Sequence, residues 1–590
     1  MSKESPIQIY KPGGANSLSQ VEAQGNVALG PVYTWRFRLV LILLLCLASV
    51  VIARIVYLHL LEDEFLQGQG DARSLRTTSI PAHRGMILDR NGEPLAVSAP
   101  VESIWLNPQE FSPQADDLKK LAKAVGIKER KLKALVKRSH KKQFLYLKRH
   151  MTPSQAAQVL DLNLQGVYAD NEYKRYYPAA EVATHLVGFT DVDGLGQEGM
   201  ELAYNDWLKG EPGKKRVLKD RLGRTIKDIQ ALSAANPGRD LALSIDLRVQ
   251  YLAYRELKAA VQAHRAKSGS AVVVDVRTGE VLAMVNQPSY NPNNRKRMKV
   301  AHLRNRATTD VFEPGSTVKP LTVAAALASG KYRPDTQVDT SPGYVRVKGK
   351  TIRDHRNYGI LDLTRIITKS SNVGVTKLAL SLHEDTVRNL FFNAGLGQST
   401  GSGFPGERTG SLPHYPAKRL LERATMSYGY GLAVTPLQLA QAYTTLASGG
   451  IKYPLSLMKL EGEAVGDRVM PEKVARQVVK MMETVIQAGG TGRRAKVPSF
   501  RVAGKTGTSH KVGSQGYSDD QYVAVFAGLA PASNPRYVTV VMIDDPQGEE
   551  YYGGEVAAPV FSRVMAGTLR LMNVAPDILP PSLEQQMAWN

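Results

Sequence analysis

One stretch of the chain is apolar almost without interruption. Leu39 to Ala53 reads LVLILLLCLASVVIA, and with Ile55 to Leu61 the segment reaches 23 residues, broken only by Arg54 and His59. At about 1.5 Å per residue a helix of this length spans about 34 Å, enough to cross a bilayer. Arg54 is placed to snorkel to the headgroups or to face a partner helix. Arg36 and Arg38 precede the run, and Glu62, Asp63 and Glu64 follow it. The positive-inside rule therefore puts the N-terminus in the cytoplasm and everything after Leu61 outside. No small-residue cleavage site closes the run, and Leu45 rather than a small residue precedes Cys46. A single uncleaved signal-anchor helix is expected, not a removed leader or a lipoprotein site. Residues 1–36 are then a cytoplasmic tail without periodicity.

Beyond the anchor, the pattern alternates between strand-like and helix-like. Arg84 to Ala96 reads RGMILDRNGEPLA, two apolar runs around the tight-turn signal Asp89-Arg90-Asn91-Gly92, which predicts a hairpin. Ala271–Val276 and Glu280–Val285 flank Arg277-Thr278-Gly279 and predict a second hairpin. Tyr522–Leu529 and Tyr537–Ile543 predict two further strands. Thr317 to Ala328 is apolar on every face, which predicts a buried helix. Strands at both ends of a region with helices between them point to an α+β fold, an antiparallel sheet covered by helices. Asn236-Pro237-Gly238 marks a break between this region and the one before it.

The length, 590 residues, calls for more than one domain. The single cysteine, Cys46, excludes an internal disulfide, so an exported domain must be held by its core. A net charge of +22 raises the possibility of nucleic-acid binding. An exported domain does not meet nucleic acid, and the basic stretch Lys119–His150 has helical spacing with few interleaved aromatics. It reads as a solvated face, suited to anionic membrane or cell-wall polymer.

Three short motifs carry candidate chemistry. Ser316-Thr317-Val318-Lys319 is S-x-x-K, Ser370-Ser371-Asn372 is S-x-N, and Lys505-Thr506-Gly507 is K-T-G. S-x-x-K recurs at Ser139–Lys142 and Ser456–Lys459, and S-x-N at Ser289-Tyr290-Asn291, so no single motif decides the matter. Local context does: only Ser316 follows a turn, Glu313-Pro314-Gly315, that opens a buried helix. There, free backbone N–H groups and the helix dipole favour developing negative charge. The other two serines read as surface residues. A serine hydroxyl needs a base, and a lysine serves only when burial or a neighbouring cation keeps it neutral. Lys319 is the expected base, with Lys505 the second cation. Ser370 is placed to relay a proton, and Asn372 to hold Lys319 and a substrate amide. Ser370 and Ser371 also fit a plain helix N-cap. Thr506 is expected to hold a substrate carboxylate, Gly507 to let the ligand approach, and the N–H groups of Ser316 and Thr508 to form an oxyanion hole. No HExxH, paired-Cys or Ser/His/Asp pattern is present, so neither a metal nor a cofactor is expected.

The order of these motifs, together with RGMILDRNGEPLA, RYYPAAEVATHLVGF (175–189), GQEGMELAYNDWLKGEPG (196–213), SYGYGLAVTPLQLAQAY (427–443) and YGGEVAAPVF (552–561), resembles the class B penicillin-binding proteins, most closely those of cell division. The resemblance runs from the membrane helix to about Met572. It implies a serine-type D,D-transpeptidase that cross-links stem peptides ending in D-Ala-D-Ala through an acyl-Ser316 intermediate, and that β-lactams inhibit. It also implies the domain order: anchor at 37–61, a pedestal (dimerisation-type) domain at 62–235, a transpeptidase domain at 240–575 and a flexible tail at 576–590. Division proteins are the implied partners, among them an FtsW-type glycan polymerase, since no glycosyltransferase domain fits between anchor and pedestal. The implied location is the inner membrane, with the catalytic domain in the periplasm. Three rivals remain: the elongation enzyme, which shares every catalytic motif; a β-lactamase or carboxypeptidase of the same fold, for which Glu407 would activate water; and a non-catalytic scaffold or β-lactam sensor.

Overall fold

The computed structural model describes residues 34–60, 75–219, 225–296, 298–513 and 516–578. The acidic flank Glu62–Glu64, most of the N-terminal tail and the tail beyond Ile578 lie outside the described residues. The chain forms two compact units: residues 1–76 with Val217–Asp228, and Thr77–Arg216 with Ile229–Asn590.

The first unit contains the apolar helix, Thr34–Leu60. It is long and apolar enough to cross a membrane, and none of its apolar side chains is buried against protein. A helix that is apolar all round and lacks a protein partner is the form that lipid stabilises.

In the second unit the RGMILDRNGEPLA segment forms its hairpin. Ile87–Leu88 pairs antiparallel with the start of Pro94–Leu106 and parallel with Leu241–Ala242. Asp89 is buried because its carboxylate closes the turn: Oδ1 accepts from Asn91 N (2.7 Å) and Glu93 N (2.9 Å). Its Oδ2 accepts from Leu247 N at 3.0 Å, which ties the turn to the start of the helix Leu247–Ala263. Further along, Pro94–Leu106 pairs with Leu145–Met151 and Val167–Tyr176. Helices Ala115–Val125, Glu129–Arg138 and Pro153–Leu160 close a small core of Ile104, Leu106, Leu121, Leu132 and Val159 over this sheet. The basic stretch is therefore helical only to Arg138, and Leu145–Met151 is a strand. The reading of Ser139 as a surface residue is corrected. It is buried, capping the C-terminus of Glu129–Arg138, where its N–H meets the carbonyls of Leu135 and Val136. Low in this region, Glu201 is fully buried between two arginines, with Arg84 Nε and Arg175 Nε each 2.6 Å from its carboxylate.

The larger sheet has five strands, all antiparallel, in the order Val281–Gln287, Ser268–Asp275, Tyr537–Asp544, Gly516–Ala530, Ala503–Gly513. Its inner strands Ser268–Asp275 and Tyr537–Asp544 are buried at every position but the last of the second, because both faces are covered. Alternate residues separate into two cores: Val272 and Val274 join one, Ala271 and Val273 the other. Leu247–Ala263 and Ala558–Leu571 cover the second face. Lys319–Ala328 and Pro436–Ala447 lie in the first core, where every residue from Lys319 to Leu327 and from Pro436 to Ala447 is buried. The edge strand Ala503–Gly513 runs beside the start of this helical layer. Three elements distant in sequence meet there.

Candidate active site

Ser316 lies on a tight turn. Gly315 has φ +53°, and its N–H donates to Gly429 O at 3.1 Å. Gly429 must itself be glycine: its φ is +90°, and a Cβ there would lie 2.1 Å from Gly315 O. Gly315–Val318 forms one 3₁₀ turn, and the α-helix Lys319–Ala328 starts only after it, with Pro320 in its first turn. Ser316 thus precedes the buried helix by one turn rather than opening it directly. Thr317 locks this turn from both ends. Its hydroxyl donates to Pro314 O, and its carbonyl accepts from the buried Tyr443 hydroxyl, both at 2.7 Å.

Lys319 is fully buried, and its Nζ lies within hydrogen-bond distance of Ser370 O (2.6 Å), Ser370 Oγ (3.1 Å) and Asn372 Oδ1 (2.7 Å). Lys505 is equally buried and donates to the same Ser370 Oγ at 3.0 Å, and to Thr506 O at 3.2 Å. Burial, and then the charge of Lys505, hold the Lys319 amine well below the ordinary lysine range, with Asp354 opposing. Burial alone brings Lys505 down to about 7. Both effects disfavour the charged amine.

The S-x-N segment divides its labour. Ser371 is the N-cap of the helix Asn372–Ser381, its hydroxyl accepting from Gly374 N at 2.8 Å. Ser370 instead ends the preceding helix, Leu363–Lys369, in the left-handed conformation with φ +57°. The N-cap role thus falls to Ser371 alone, and Ser370 Oγ meets the two lysines instead. Asp354 holds the turn: its carboxylate accepts from Ser371 Oγ and Asn372 N (2.6 Å each) and from Val373 N (3.0 Å). Anions are favoured at this position by the free N–H groups of a helix start.

Alternation along the edge strand sorts the K-T-G residues. Thr506 and Thr508 line the cleft with Ser316, Ser370 and Asn372. Gly507 faces the other way. A Cβ there would lie 2.8 Å from Thr317 Cγ2 and 3.0 Å from Pro314 O. Its lack of a side chain lets the strand close on the Ser316 turn, which replaces the expected contact with ligand. The cleft measures about 580 Å³ and is further lined by His355, Tyr430, Thr491, Arg493, Arg494 and Tyr552. Tyr430 and Tyr552 fall within the longer segments 427–443 and 552–561, and the other four stand in no motif. Thr491 Oγ1 meets Thr506 Oγ1 at 2.8 Å.

The remaining serine candidates are structural. Ser456 Oγ donates to Met458 O at 2.7 Å within a connection. Ser289 lies near Tyr254, the hydroxyls 3.4 Å apart. Glu407 does not line the cleft. Its two oxygens accept from Thr400 Oγ1 and Ser402 Oγ, each at 2.7 Å, so it staples its own loop. Among the described residues no group of three or more His, Cys, Asp and Glu side chains could hold a metal ion.

Comparison with known proteins agrees with this geometry. Residues 269–566 match the model of the penicillin binding protein transpeptidase domain, and residues 79–243 that of the penicillin-binding protein dimerisation domain. The chain is 47% identical to the peptidoglycan D,D-transpeptidase FtsI of Escherichia coli, over 94% of this chain and 95% of that one. It is 43% identical to the probable peptidoglycan D,D-transpeptidase PbpC of Pseudomonas aeruginosa, over 93% and 97%. A peptidoglycan synthetase from Bifidobacterium adolescentis superposes with a TM-score of 0.67 at 27% identity, over 86% of this chain and 98% of that one.

Proposed function

The chain belongs to the penicillin-binding protein transpeptidases, and we propose on that basis that Ser316 is the nucleophile of a lysine-activated serine site that cross-links peptidoglycan during cell division. The enzyme is a serine-type peptidoglycan D,D-transpeptidase and, as a member of its family, a β-lactam target. The observation that carries the residue assignment is the convergence of two buried lysine amines on one hydroxyl, Ser370 Oγ.

Neutral Lys319 takes the proton from Ser316 Oγ as that oxygen attacks the carbonyl carbon of the penultimate D-Ala. The C–N bond to the terminal D-Ala breaks, and Ser370 passes a proton to the leaving amine. Asn372 keeps Lys319 in place and meets the substrate amide. Lys505 keeps Lys319 neutral and orients Ser370. Thr506 and Thr508 receive the donor's terminal carboxylate, and the N–H groups of Ser316 and Thr508 receive the oxyanion. Gly507 contributes by letting the strand approach the turn. An amine from a neighbouring stem peptide then takes the acyl group and frees Ser316.

The helix Thr34–Leu60 fits a single-pass membrane anchor. In this reading its N-terminus is cytoplasmic, the pedestal of residues 62–235 positions the site and meets division proteins including an FtsW-type polymerase, and residues 240–575 form the periplasmic transpeptidase domain. Glu407, the carboxylate a hydrolase would need, lies outside the cleft with both oxygens occupied, which favours an amine acceptor over water. The test is reconstitution of the full chain with uncross-linked glycan strands bearing D-Ala-D-Ala. Cross-linked dimers appearing in step with released D-Ala would support transpeptidation. D-Ala release without dimers would point to a carboxypeptidase.

A further inference from the structure

In the proposed reaction the cleft holds a carboxylate, and the cation of the K-T-G motif does not line it. Lys505 is fully buried, donates to Ser370 Oγ and Thr506 O, and does not line the cleft. Hydroxyls can hydrogen-bond an anion, but a neutral pair alone leaves its charge uncompensated in a half-enclosed site. Two arginines line the same wall. Arg494 is already engaged: its guanidinium meets Glu550 at 2.8 Å and Glu555 O at 3.4 Å. Arg493 is exposed, lines the cleft, and makes no ion pair or side-chain hydrogen bond among the described residues.

We propose that Arg493 is the anchor for the terminal carboxylate of the donor peptide, the residue through which the cleft selects substrates with a free C-terminal acid. Its position is built rather than incidental. Two residues before it, the Thr491 hydroxyl joins that of Thr506 across to the K-T-G strand at 2.8 Å. The turn between them is held by Gly492 N donating to Val485 O at 2.9 Å and by Lys369 Nζ donating to Gly489 O at 2.9 Å. Gly490 packs so closely that a Cβ would lie 2.2 Å from Val485 O. The fixed turn thus sets Arg493 in the lining of the same cleft as the two bonded hydroxyls. That set matches a carboxylate, with the planar fork for its oxygens and the hydroxyls for the remaining lone pairs. Glu555 is the one acidic residue among those lining the cleft, and its carbonyl meets Arg494. This inference rests on the assignment of Ser316 and the K-T-G strand as the reacting site.

The test uses the full-length protein in detergent and two probes that differ only in charge: benzylpenicillin and its methyl ester. Acylation rates are followed by intact mass for wild type, Arg493→Ala, Arg493→Gln, Arg493→Lys and Ser316→Ala. Loss of a charge-assisted contact is expected to slow the acid about 10- to 100-fold in Arg493→Ala and Arg493→Gln. The ester rate is expected to stay within about twofold, and Arg493→Lys to keep part of the preference. Equal slowing of both probes, or no change in either, would overturn the proposal. An adduct surviving in Ser316→Ala would instead bring down the site assignment on which it rests.

Discussion

Lys319 and Lys505 donate to one and the same oxygen, Ser370 Oγ, at 3.1 and 3.0 Å. Two fully buried cations around one hydroxyl would repel strongly, so the pair is stable only with charge removed from it. Lys319 bears the larger loss, since burial and then the charge of Lys505 both act against its proton. A neutral amine is what a serine nucleophile requires of its base. The geometry that makes the pair costly is therefore the geometry that suits Lys319 to the proposed role of base.

Lys319→Met should separate catalysis from stability. The methionine fills the buried space without a proton to place, so the unfolding midpoint should hold or rise. The acylation rate by penicillin should fall about 10²- to 10⁴-fold, the range for loss of a general base. Thermal melting and stopped-flow acylation of the same preparation check both halves.

The pH dependence of stability carries the signature of Lys505. Burial lowers its folded value to about 7, whereas an unfolded lysine titrates at about 10.4. Between those values the unfolded chain binds the additional proton, so stability rises with pH through that window. Below about 7 the group is charged in both states and contributes no slope. Lys505→Met should flatten the rise between pH 7 and 9 relative to wild type, as read from urea midpoints. Parallel curves would contradict the assignment.

Gly429→Ala should damage the nucleophile's turn from a distance. The new Cβ would meet Gly315 O at 2.1 Å, on a backbone with φ +90°. A fall in acylation of at least about tenfold is expected, with a lower melting temperature. Gly330→Ala is the control. Its φ is +74°, but nothing lies within 4 Å of the new Cβ, so only the backbone cost of about 1 kcal/mol should appear, with the rate unchanged.

In the pedestal, Glu201→Ala leaves Arg84 and Arg175 buried without their shared carboxylate. The expected cost is about 3–5 kcal/mol, the range for breaking a buried ion pair from one side. Acylation by the protein that remains folded should match wild type, because neither arginine lines the cleft. Calorimetry and penicillin labelling of the soluble fraction distinguish the two effects.

Much of this was legible in the chain. The hairpins around Asn91-Gly92 and Arg277-Thr278-Gly279 formed as their turn chemistry predicts, because turn and strand signals are local. The helix after Ser316 was legible because a segment apolar on all faces has few places to go. What stayed hidden depends on distance in sequence. Asp354 reaches the Ser371 turn from a hairpin seventeen residues upstream, and Tyr443 locks Thr317 across 126 residues. No periodicity announces such a contact. Thr491 and Arg493 look like loop residues until the K-T-G strand is beside them. Ser139 differs from expectation for a related reason: its charged neighbours point to solvent, but its place at a helix end turns it inward. The motif alone points Gly507 toward a ligand, and strand alternation turns it to Thr317 and Pro314 instead.

The central claim is that one serine, Ser316, carries the acyl group. Peptide mapping by mass spectrometry after reaction of the full-length protein with penicillin tests it directly. The account predicts one stoichiometric adduct, on the peptide containing Ser316, persisting for many minutes and absent from Ser316→Ala but present in Ser139→Ala. An adduct on another serine, or one that survives Ser316→Ala, would contradict it.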